Sequence, residues 1–355
     1  MANNRWMLYG AYGYTGELVA DEALKRGHKP ILAGRSAEKL IPLAERLGLE
    51  YRVVALDDPA ALQKALSEVD LVFHAAGPFI HTASPMLDAC VETGTHYVDI
   101  TGEIAVFRKT FKCDEAARQK NIVLVSGVGF DIIPTDCLSS YVASQVPGAI
   151  ELEIAFQAIS QVSAGTTKSS LEGAGKGGWV RRDGQLTPYH LGKGAKQIRF
   201  SHGKQRWVMP IPWGDLETAY RATGIPNITT YMSYHPRMIR MVKMFSPVFP
   251  YLLALKPVRG LIRTYIEKRI TGPDEQLRQS GKSYIWAKAA DKNGDFKEAW
   301  LETMEAYQFT AVGGVRCVEK IFEQHPVGAL TPSQAFGADF VLEIEGTRRL
   351  DKLDG

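Results

Sequence analysis

The segment Trp6-Met7-Leu8-Tyr9-Gly10-Ala11-Tyr12-Gly13-Tyr14-Thr15-Gly16 decides the fold of this chain of 355 residues. An apolar run leads into three glycines spaced G-x-x-G-x-x-G, and a helical pattern begins near Thr15. A strand, a tight glycine turn and a helix form the phosphate-binding start of a dinucleotide fold. The glycines let the backbone approach a pyrophosphate, and the helix directs free N–H groups at it. The residues that this segment predicts to bind the dinucleotide are Gly10, Tyr12, Gly13, Tyr14, Thr15 and Gly16.

The first 130 residues alternate between apolar strand-like runs and helical patterns with short connections. This alternation is typical of a parallel sheet with right-handed crossover helices. It predicts an α/β protein with an N-terminal Rossmann, doubly wound domain over residues 1–133. The later strands are predicted at Lys29–Gly34, Tyr51–Leu56, Asp70–Ala76, Thr95–Ile100 and Asn121–Ser126, and the helices at Ser36–Leu47, Pro59–Val69, Ser84–Thr93 and Ile104–Gln119.

The pattern changes after residue 133, and the chain is too long for one ordinary domain. We expect a second, α+β domain over 134–306 with a mixed or antiparallel sheet. Asn293-Gly294 lies between two strand patterns, Lys282–Asp291 and Phe296–Met304, and predicts a hairpin. Residues 307–355 are expected to pack back on the first domain.

The end of the second predicted strand indicates which dinucleotide binds. An acidic residue at this position favours NAD, because it hydrogen-bonds the ribose hydroxyls. This chain instead has Arg35 and Ser36, with Lys39 one helical turn later. A guanidinium and a hydroxyl suit a 2′-phosphate. We therefore predict NADP(H) as the cofactor; the alternative is that Arg35 is only a solvated surface cation.

The ends of the fourth, fifth and sixth predicted strands are the other candidate ligand contacts, because ligands bind at the carboxyl ends of parallel strands. Ala76, Gly77, Pro78, Thr101 and Gly102 are predicted to line the nicotinamide side.

Acidic residues also follow these strands, among them Glu103 and Asp131. Each can orient a substrate or move a proton. Each can equally cap a helix, since Glu103 opens one helical pattern and Asp131 shortly precedes another. Both readings stay open from the sequence.

Taken together, these motifs resemble the saccharopine dehydrogenase-like (saccharopine reductase-like) oxidoreductase family, in the branch that contains trans-acting enoyl reductases. The resemblance covers nearly the whole chain and is strongest over the first 136 residues. It is carried by Gly10–Gly16, Ala33–Ser36, Gly77-Pro78, Tyr97–Glu103, Gly129–Asp136 and Gly165–Gly184.

The resemblance implies an NADPH-dependent oxidoreductase that transfers a hydride to a C=C (enoyl) or C=N (imine) bond. It also implies an α+β domain that holds substrate and forms a homodimer. Lys176, in a glycine-rich stretch read as a helix over Gly165–Trp179, is a third candidate catalytic residue beside Asp131 and Glu103. The amino-acid-clamping residues of saccharopine reductases have no recognisable counterpart here, which disfavours saccharopine itself.

Composition excludes several classes of function. A net charge of +3 gives no footprint for nucleic-acid binding. The four cysteines form no C-x-x-C pair, so neither a metal site nor a disulfide framework is indicated. With no signal peptide expected before the first strand, we predict a cytoplasmic protein.

Residues 238–262 are apolar but interrupted by four Arg or Lys residues and three prolines, so they do not fit a membrane-spanning helix. One interpretation is a helical hairpin that covers a core or a dimer interface. The other is a peripheral membrane contact, because aromatic and apolar residues have basic flanks. The substrate is expected to be a small molecule or a lipid-like, polyketide-like one, and the apolar segment suits the lipid-like class better.

Two other functions compete with this prediction. An atypical short-chain dehydrogenase or epimerase would need Tyr-x-x-x-Lys, which occurs at Tyr189…Lys193 and Tyr284…Lys288. Neither pair follows the fifth strand of the nucleotide domain, so we interpret both as chance matches. A non-enzymatic, membrane-associated NADP(H)-binding protein would keep the glycine loop and lack hydride transfer.

Overall fold

The computed structural model describes residues 4–158, 177–245 and 273–353. Contacts divide the chain into two units, Met1–Ile133 with Tyr307–Phe336, and Pro134–Ala306 with Gly337–Gly355. The sequence placed all of 307–355 with the first domain. In the structure the last part belongs to the second unit, because strand β16 (Arg348–Leu350) pairs with β14 (Phe296–Met304) of that unit.

The first unit contains a seven-stranded parallel sheet within the described residues, in the order β15-β6-β5-β4-β1-β2-β3. This confirms the predicted α/β class and the doubly wound sheet. The strand order reverses between β1 and β4, which is where ligands bind in this fold. The strands are β1 Trp6–Tyr9, β2 Ile31–Gly34, β3 Tyr51–Val53, β4 Leu71–His74, β5 His96–Asp99, β6 Val123–Val125 and β15 Gly328–Ala329.

Eight helices accompany this sheet in the described part of the first unit. They are α1 Tyr14–Lys25, α2 Ala37–Leu47, α3 Pro59–Leu66, α4 Phe79–Thr93, α5 Ile104–Lys112, α6 Asp114–Gln119, α11 Ala306–Gln324 and α12 Pro332–Phe336.

Two predicted helices differ from the structure. The helix predicted over Ile104–Gln119 is divided at Cys113 into α5 and α6. The helix predicted from Ser84 begins five residues earlier, at Phe79, so that Pro85 lies inside it. The early start is stabilised by the distant Glu103, whose carboxylate accepts hydrogen bonds from the first two amides of α4.

The core of the first unit is formed by strands that are buried on both faces, as expected for a parallel sheet between helices. All four residues of β1, β2 and β4 are buried. Helix α11 packs closely on this sheet. A Cβ at Gly314 would lie 2.7 Å from the Phe73 ring, so a glycine is needed for that approach.

An ion cluster joins α11 to the end of α1. Glu319 contacts Arg26 at 3.0 Å, His28 at 3.1 Å and Arg316 at 3.0 Å. Burial alone would raise the pKa of Glu319, but hydrogen bonds from His28 and Arg316 and the Arg26 charge outweigh it and lower the pKa to about 2. The cluster therefore ties a late segment of the chain to the first helix.

The second unit contains a nine-stranded mixed sheet within the described residues, in which β7 and β12 pair in parallel and the other neighbouring strands pair antiparallel. The strands are β7 Glu151–Ala158, β8 Gly178–Arg182, β9 Gln185–Tyr189, β10 Lys196–Arg199, β11 Gln205–Pro210, β12 Asn227–Ser233, β13 Lys282–Ala290, β14 and β16, and the helices are α7 Ile133–Ser144, α8 Asp215–Thr223, α9 Pro236–Phe245 and α10 Glu275–Ser280. The mixed sheet agrees with the predicted α+β character.

The predicted Asn-Gly hairpin joins β13 and β14. The Asp291 carboxylate accepts hydrogen bonds from the amides of Asn293 and Asp295, which stabilises the turn. In neither unit does a described helix combine the length and the apolar character needed to cross a bilayer.

Glu319→Gln is expected to lower the free energy of unfolding by about 1–3 kcal/mol at neutral pH, because it leaves partly buried Arg26 and Arg316 without their common carboxylate. Because the pKa of Glu319 is lower in the folded than in the unfolded state, the ionised carboxylate stabilises the fold above the unfolded-state pKa. This stabilisation is lost as the pH falls towards 2. The difference between wild type and variant should therefore shrink below about pH 5. Urea unfolding across this pH range measures it.

Glu17→Gln is the control, because the Glu17–Arg46 ion pair is solvent-exposed on both sides. Surface pairs contribute about 0–1 kcal/mol. Equal losses in the two variants would contradict a structural role for the Glu319 cluster.

Candidate functional site

The loop between β1 and α1 approaches the end of β4 backbone to backbone. Gly10 has φ +86°, and a Cβ there would lie 2.8 Å from the Ala76 nitrogen. A Cβ at Gly16 would lie 2.8 Å from the Ala11 carbonyl oxygen. Both contacts are too short for any side chain, so the glycine spacing is a steric requirement of this turn.

Helix α1 begins at Tyr14, one residue before the predicted start, and Gly13 occupies its N-cap position. Gly13 has no side chain that could satisfy the first amides of the helix. Uncapped amides at a helix N-terminus bind phosphate well, because the helix dipole adds to their hydrogen bonds. The loop can thus hold a pyrophosphate, with Thr15 half-buried in the first turn.

The end of β2 presents the residues that the sequence assigned to the 2′-phosphate. Tyr12 packs on Gly34, and its hydroxyl accepts a hydrogen bond from the Ser36 amide at 3.3 Å. Arg35 and Lys39 are exposed, and no ion pair to either occurs within the described residues. Ser36 occupies the N-cap position of α2 as predicted, but its hydroxyl does not cap the helix. The residues that follow β2 therefore supply two positively charged side chains, of Arg35 and Lys39, and the hydroxyl group of Ser36.

The turn after β4 contains Gly77-Pro78, joined by a cis peptide bond. Glu103, from the end of β5, holds the far side of this turn. Its Oε1 accepts from the Phe79 amide at 3.0 Å and its Oε2 from the Ile80 amide at 2.8 Å. Glu103 therefore caps α4 through these two hydrogen bonds, whereas the sequence suggested a cap for its own helix.

Asp99 is fully buried and joins the ends of β5 and β6. Its carboxylate accepts from the amides of Thr101 and Gly127, both at 2.9 Å, and from the hydroxyls of Tyr97 at 2.7 Å and Ser126 at 2.9 Å. Burial raises the pKa of Asp99, and these donors only partly oppose the shift. Asp99 thus fixes Thr101, which is itself buried at the predicted nicotinamide side.

Asp131 lies in the loop after β6. The preceding amide, of Phe130, donates to the Thr310 hydroxyl of α11 at 3.0 Å. A Cβ at Gly129 would lie 2.9 Å from the Thr310 methyl group, so the loop packs closely on α11. Asp131 is half-buried, and burial raises its pKa to about 7. A carboxyl group of this kind can exchange a proton near neutral pH.

The carboxyl ends of five neighbouring strands of the first sheet, which carry the residues described above, lie along one edge of the sheet. From β2 through β1, β4 and β5 to β6 they present Arg35, the glycine loop, Gly77-Pro78, Thr101 and Asp131. Four steps between neighbouring strands span about 19 Å. The edge therefore offers, in sequence, a cationic end, a phosphate cradle and an end with a titratable acid, which matches the length and polarity of an extended dinucleotide.

Several other predicted residues fall elsewhere. Lys176 and most of the predicted helix Gly165–Trp179 lie outside the described residues. Both Tyr-x-x-x-Lys matches belong to the second unit. Tyr284 and Lys288 are four residues apart on β13, about 14 Å along the strand, too far for a lysine to lower the pKa of a tyrosine. Nowhere in the described ranges are three or more His, Cys, Asp or Glu side chains arranged to hold a metal ion.

The sequence predictions included Tyr97 and Asp99 in a strand-end motif but did not single out Asp99, Tyr97, Ser126 or Thr310 as site residues. An aspartate at the end of a buried strand was a signal for Asp99, since a buried carboxylate needs several donors. Thr310 gave no signal, because it is 180 residues from its partner.

Comparison with known proteins supports the nucleotide-binding assignment. Residues 6–125 match the family described as saccharopine dehydrogenase NADP binding domain. The chain is 30% identical over 195 residues to a bovine (Bos taurus) saccharopine dehydrogenase-like oxidoreductase, covering 48% of this chain and 46% of that one. It is 31% identical over 156 residues to a putative trans-acting enoyl reductase of Mycobacterium tuberculosis, covering 41% and 37%. These matches span less than half the length of either relative and confirm the resemblance.

Solved structures show the same fold at low sequence identity. Apo saccharopine dehydrogenase (L-Glu forming) from Saccharomyces cerevisiae aligns with a TM-score of 0.63 and 12% identity, over 98% of this chain and 100% of that one. Homospermidine synthase from Legionella pneumophila, solved in complex with NAD, gives a TM-score of 0.63 and 10% identity over 99% and 92%.

Gly10→Ala is expected to weaken NADPH binding by about tenfold or more, because the new methyl group would displace the Ala76 backbone and open the phosphate cradle. Gly27→Ala is a matched control. Gly27 has a similar φ of +84°, but no atom lies within 4 Å of its Cβ position. The alanine of the control variant destabilises the fold by about 1–2 kcal/mol, because it must adopt a left-handed conformation, but it does not move the phosphate loop. Fluorescence titration with NADPH measures the affinity of both variants. Equal affinities of Gly10→Ala and Gly27→Ala would contradict the steric explanation.

Proposed function

We propose that this protein, whose residues 6–125 match the family described as saccharopine dehydrogenase NADP binding domain, is an NADPH-dependent oxidoreductase that reduces a C=C or C=N bond. The order of residues along the carboxyl edge of the first sheet carries the proposal. A cationic end and an acidic end lie on opposite sides of the phosphate cradle, about 19 Å apart. Bound NADPH supplies the hydride, so the chain itself has to position the cofactor and the substrate and to provide a proton.

Preference for NADPH is assigned to the end of β2. Arg35 presents a planar guanidinium that can bind a 2′-phosphate with two hydrogen bonds, and Lys39 adds a second positive charge. The Ser36 hydroxyl is available as a further donor, because the helix that it begins does not use it as a cap. NADH would bind without these contacts.

Proton donation is assigned to Asp131. Glu103 is a poorer candidate, because both of its oxygens already accept backbone hydrogen bonds that protonation would weaken. Asp131 lies at the opposite end of the sheet edge from Arg35, after β6. Its carboxyl group has a pKa of about 7 and is partly protonated at neutral pH.

The names of the mycobacterial relatives favour one class of bond. The mycobacterial relatives carry the name trans-acting enoyl reductase, which favours reduction of an enoyl C=C bond in a lipid-like or polyketide-like substrate. An imine of a small amino-acid-like substrate is the alternative within the same reaction class. Assays of NADPH consumption with enoyl thioesters, imines and keto acids distinguish these two substrate classes. If NADPH binds tightly but is consumed with none of these compounds, the proposal that the protein is an enzyme is wrong.

Arg35→Gln is expected to weaken NADPH binding by about 10–100-fold, because charge-assisted hydrogen bonds to the 2′-phosphate are lost. NADH affinity should stay within about twofold, since NADH has no such phosphate. Arg46→Gln is the matched control, because Arg46 lies near the other end of α2, the helix that follows Arg35, and is paired with Glu17. If the wild type binds NADPH and NADH equally, the assignment of Arg35 fails.

The rate of substrate reduction is expected to fall as the pH rises above about 7, because the donor must be protonated. Asp131→Asn should lower kcat by about a hundredfold or more and abolish this limb of the pH profile. Glu103→Gln should instead lower thermal stability. A variant at Asp131 that keeps the wild-type pH profile would rule out its proposed role.

We also propose that helix α9 contacts an anionic membrane surface. Met238, Met241 and Phe245 lie on one side of the helix and are 50–58% exposed. Arg237 and Arg240 supply positive charge, and the helix contains no acidic residue. Exposed apolar side chains beside basic ones are typical of helices that lie in a membrane interface. The remainder of the predicted segment 238–262 lies outside the described residues.

A Met238→Ser, Met241→Ser double variant is expected to bind vesicles rich in phosphatidylglycerol about tenfold more weakly than the wild type. Phe296→Ser is the control, since Phe296 is 56% exposed in the β13–β14 hairpin. Vesicle flotation measures both. Wild-type protein that floats with neither anionic nor zwitterionic vesicles would disprove the contact.

A further inference from the structure

His74, the last residue of β4, is fully buried in the first unit. Three aromatic rings surround it, with centroids at 5.5 Å for Tyr9, 5.4 Å for Phe79 and 6.2 Å for Tyr97. Its Nε2 lies 3.1 Å from the Thr82 hydroxyl oxygen. Its Nδ1 has no hydrogen-bond partner among the described residues.

The hydrogen bonds of Thr82 fix the proton of this imidazole. The Thr82 hydroxyl has one hydrogen, and both of its other neighbours, the carbonyl oxygens of Ala76 at 2.7 Å and Pro78 at 3.3 Å, can only accept. The hydroxyl oxygen must therefore accept from His74, which places the imidazole proton on Nε2. Burial lowers the pKa of His74 to about 3, so this neutral tautomer persists at physiological pH.

A histidine is an unfavourable choice for packing alone. A phenylalanine would fill an aromatic pocket without burying an unpaired acceptor, which costs free energy in a low-dielectric interior. The position therefore indicates a need for the Nε2 donor. That donor is the first member of a chain of hydrogen bonds that leads from His74 through Thr82 to the Ala76 carbonyl.

The Ala76 carbonyl begins the turn that lies against the phosphate loop. On one side the turn contacts Gly10, and on the other side Glu103 holds the amides of Phe79 and Ile80. The hydrogen bond from Thr82 is the internal contact that directs the carbonyl at the start of the turn. Without it, the turn keeps its two outer contacts but loses the fixed orientation of Ala76.

We propose that His74 and Thr82 are positioning residues that hold the Ala76–Pro78 turn in the orientation needed for the nicotinamide half of NADPH. The proposal rests on the proposed function, because the turn has this role only if the domain binds NADPH. Neither side chain needs to touch the cofactor, since both act through the Ala76 backbone.

Three variants test the pair. Thr82→Val keeps the shape of the side chain and removes the hydroxyl, His74→Phe keeps the aromatic packing and removes the donor, and Thr82→Ser keeps the hydroxyl. We expect Thr82→Val and His74→Phe each to raise the KM and Kd for NADPH about tenfold. We expect Thr82→Ser to bind NADPH within about twofold of the wild-type affinity. The double variant Thr82→Val, His74→Phe should bind NADPH no more weakly than either single variant, because the same chain of hydrogen bonds is broken in each case.

Thermal unfolding and cofactor titration are measured on the same samples. A purely structural role would lower the melting temperature and leave the affinity of the folded protein unchanged, and this result would overturn the proposal. Long-range ¹H–¹⁵N spectra should show the Nε2–H tautomer of His74; the Nδ1–H form would also overturn it. Failure of the wild type itself to bind NADPH would refute the proposed function instead, whereas binding that is equal in all variants refutes only the role of the pair.

Discussion

The first unit depends on a contact that leaves no room for a side chain. At Gly10 the loop after β1 meets the end of β4 so closely that any Cβ would collide with the Ala76 backbone. This contact brings together the two strands between which the order of the sheet reverses. The crevice that opens there in doubly wound folds is where the dinucleotide binds. The glycine loop, the cationic strand end and the later turns can act on one ligand because this contact fixes their separation.

Polar side chains hold the rest of the edge in place; Asp99 and His74 are buried, and Glu103 is half-buried. Asp99 binds the backbone after β5 and β6, Glu103 binds the start of α4, and His74 acts through Thr82 on the turn after β4. Loops at ligand sites are otherwise the more mobile parts of a fold. Here backbone amides and carbonyls are fixed by hydrogen bonds in a low-dielectric interior, where such bonds are strong. The edge is therefore pre-organised before any ligand arrives.

The sequence predicted what short-range patterns can encode. The glycine spacing and the alternation of strands and helices located β1 to β6 and α1, and the Asn293-Gly294 turn located the β13–β14 hairpin. Long-range contacts gave no such signal. The start of α4 depends on Glu103, 24 residues away, and the loop before Asp131 depends on Thr310. Strands β8 to β12 were missed, although Asp183-Gly184 between β8 and β9 is a two-residue turn of the kind that predicts a hairpin. The pairing of β12 with β7 joins residues far apart in the sequence and gave no local signal.

Strand β15 has a consequence for how the protein is made. Gly328 pairs with Val123, so the seven-stranded sheet of the first unit is completed by residues that the ribosome adds after nearly all of the second unit. Closing so long a loop is slow and entropically costly. During synthesis the outer strand β6 has an unpaired edge, which is a site for association with other chains. A nascent chain thus carries an incomplete sheet of the first unit for most of its translation.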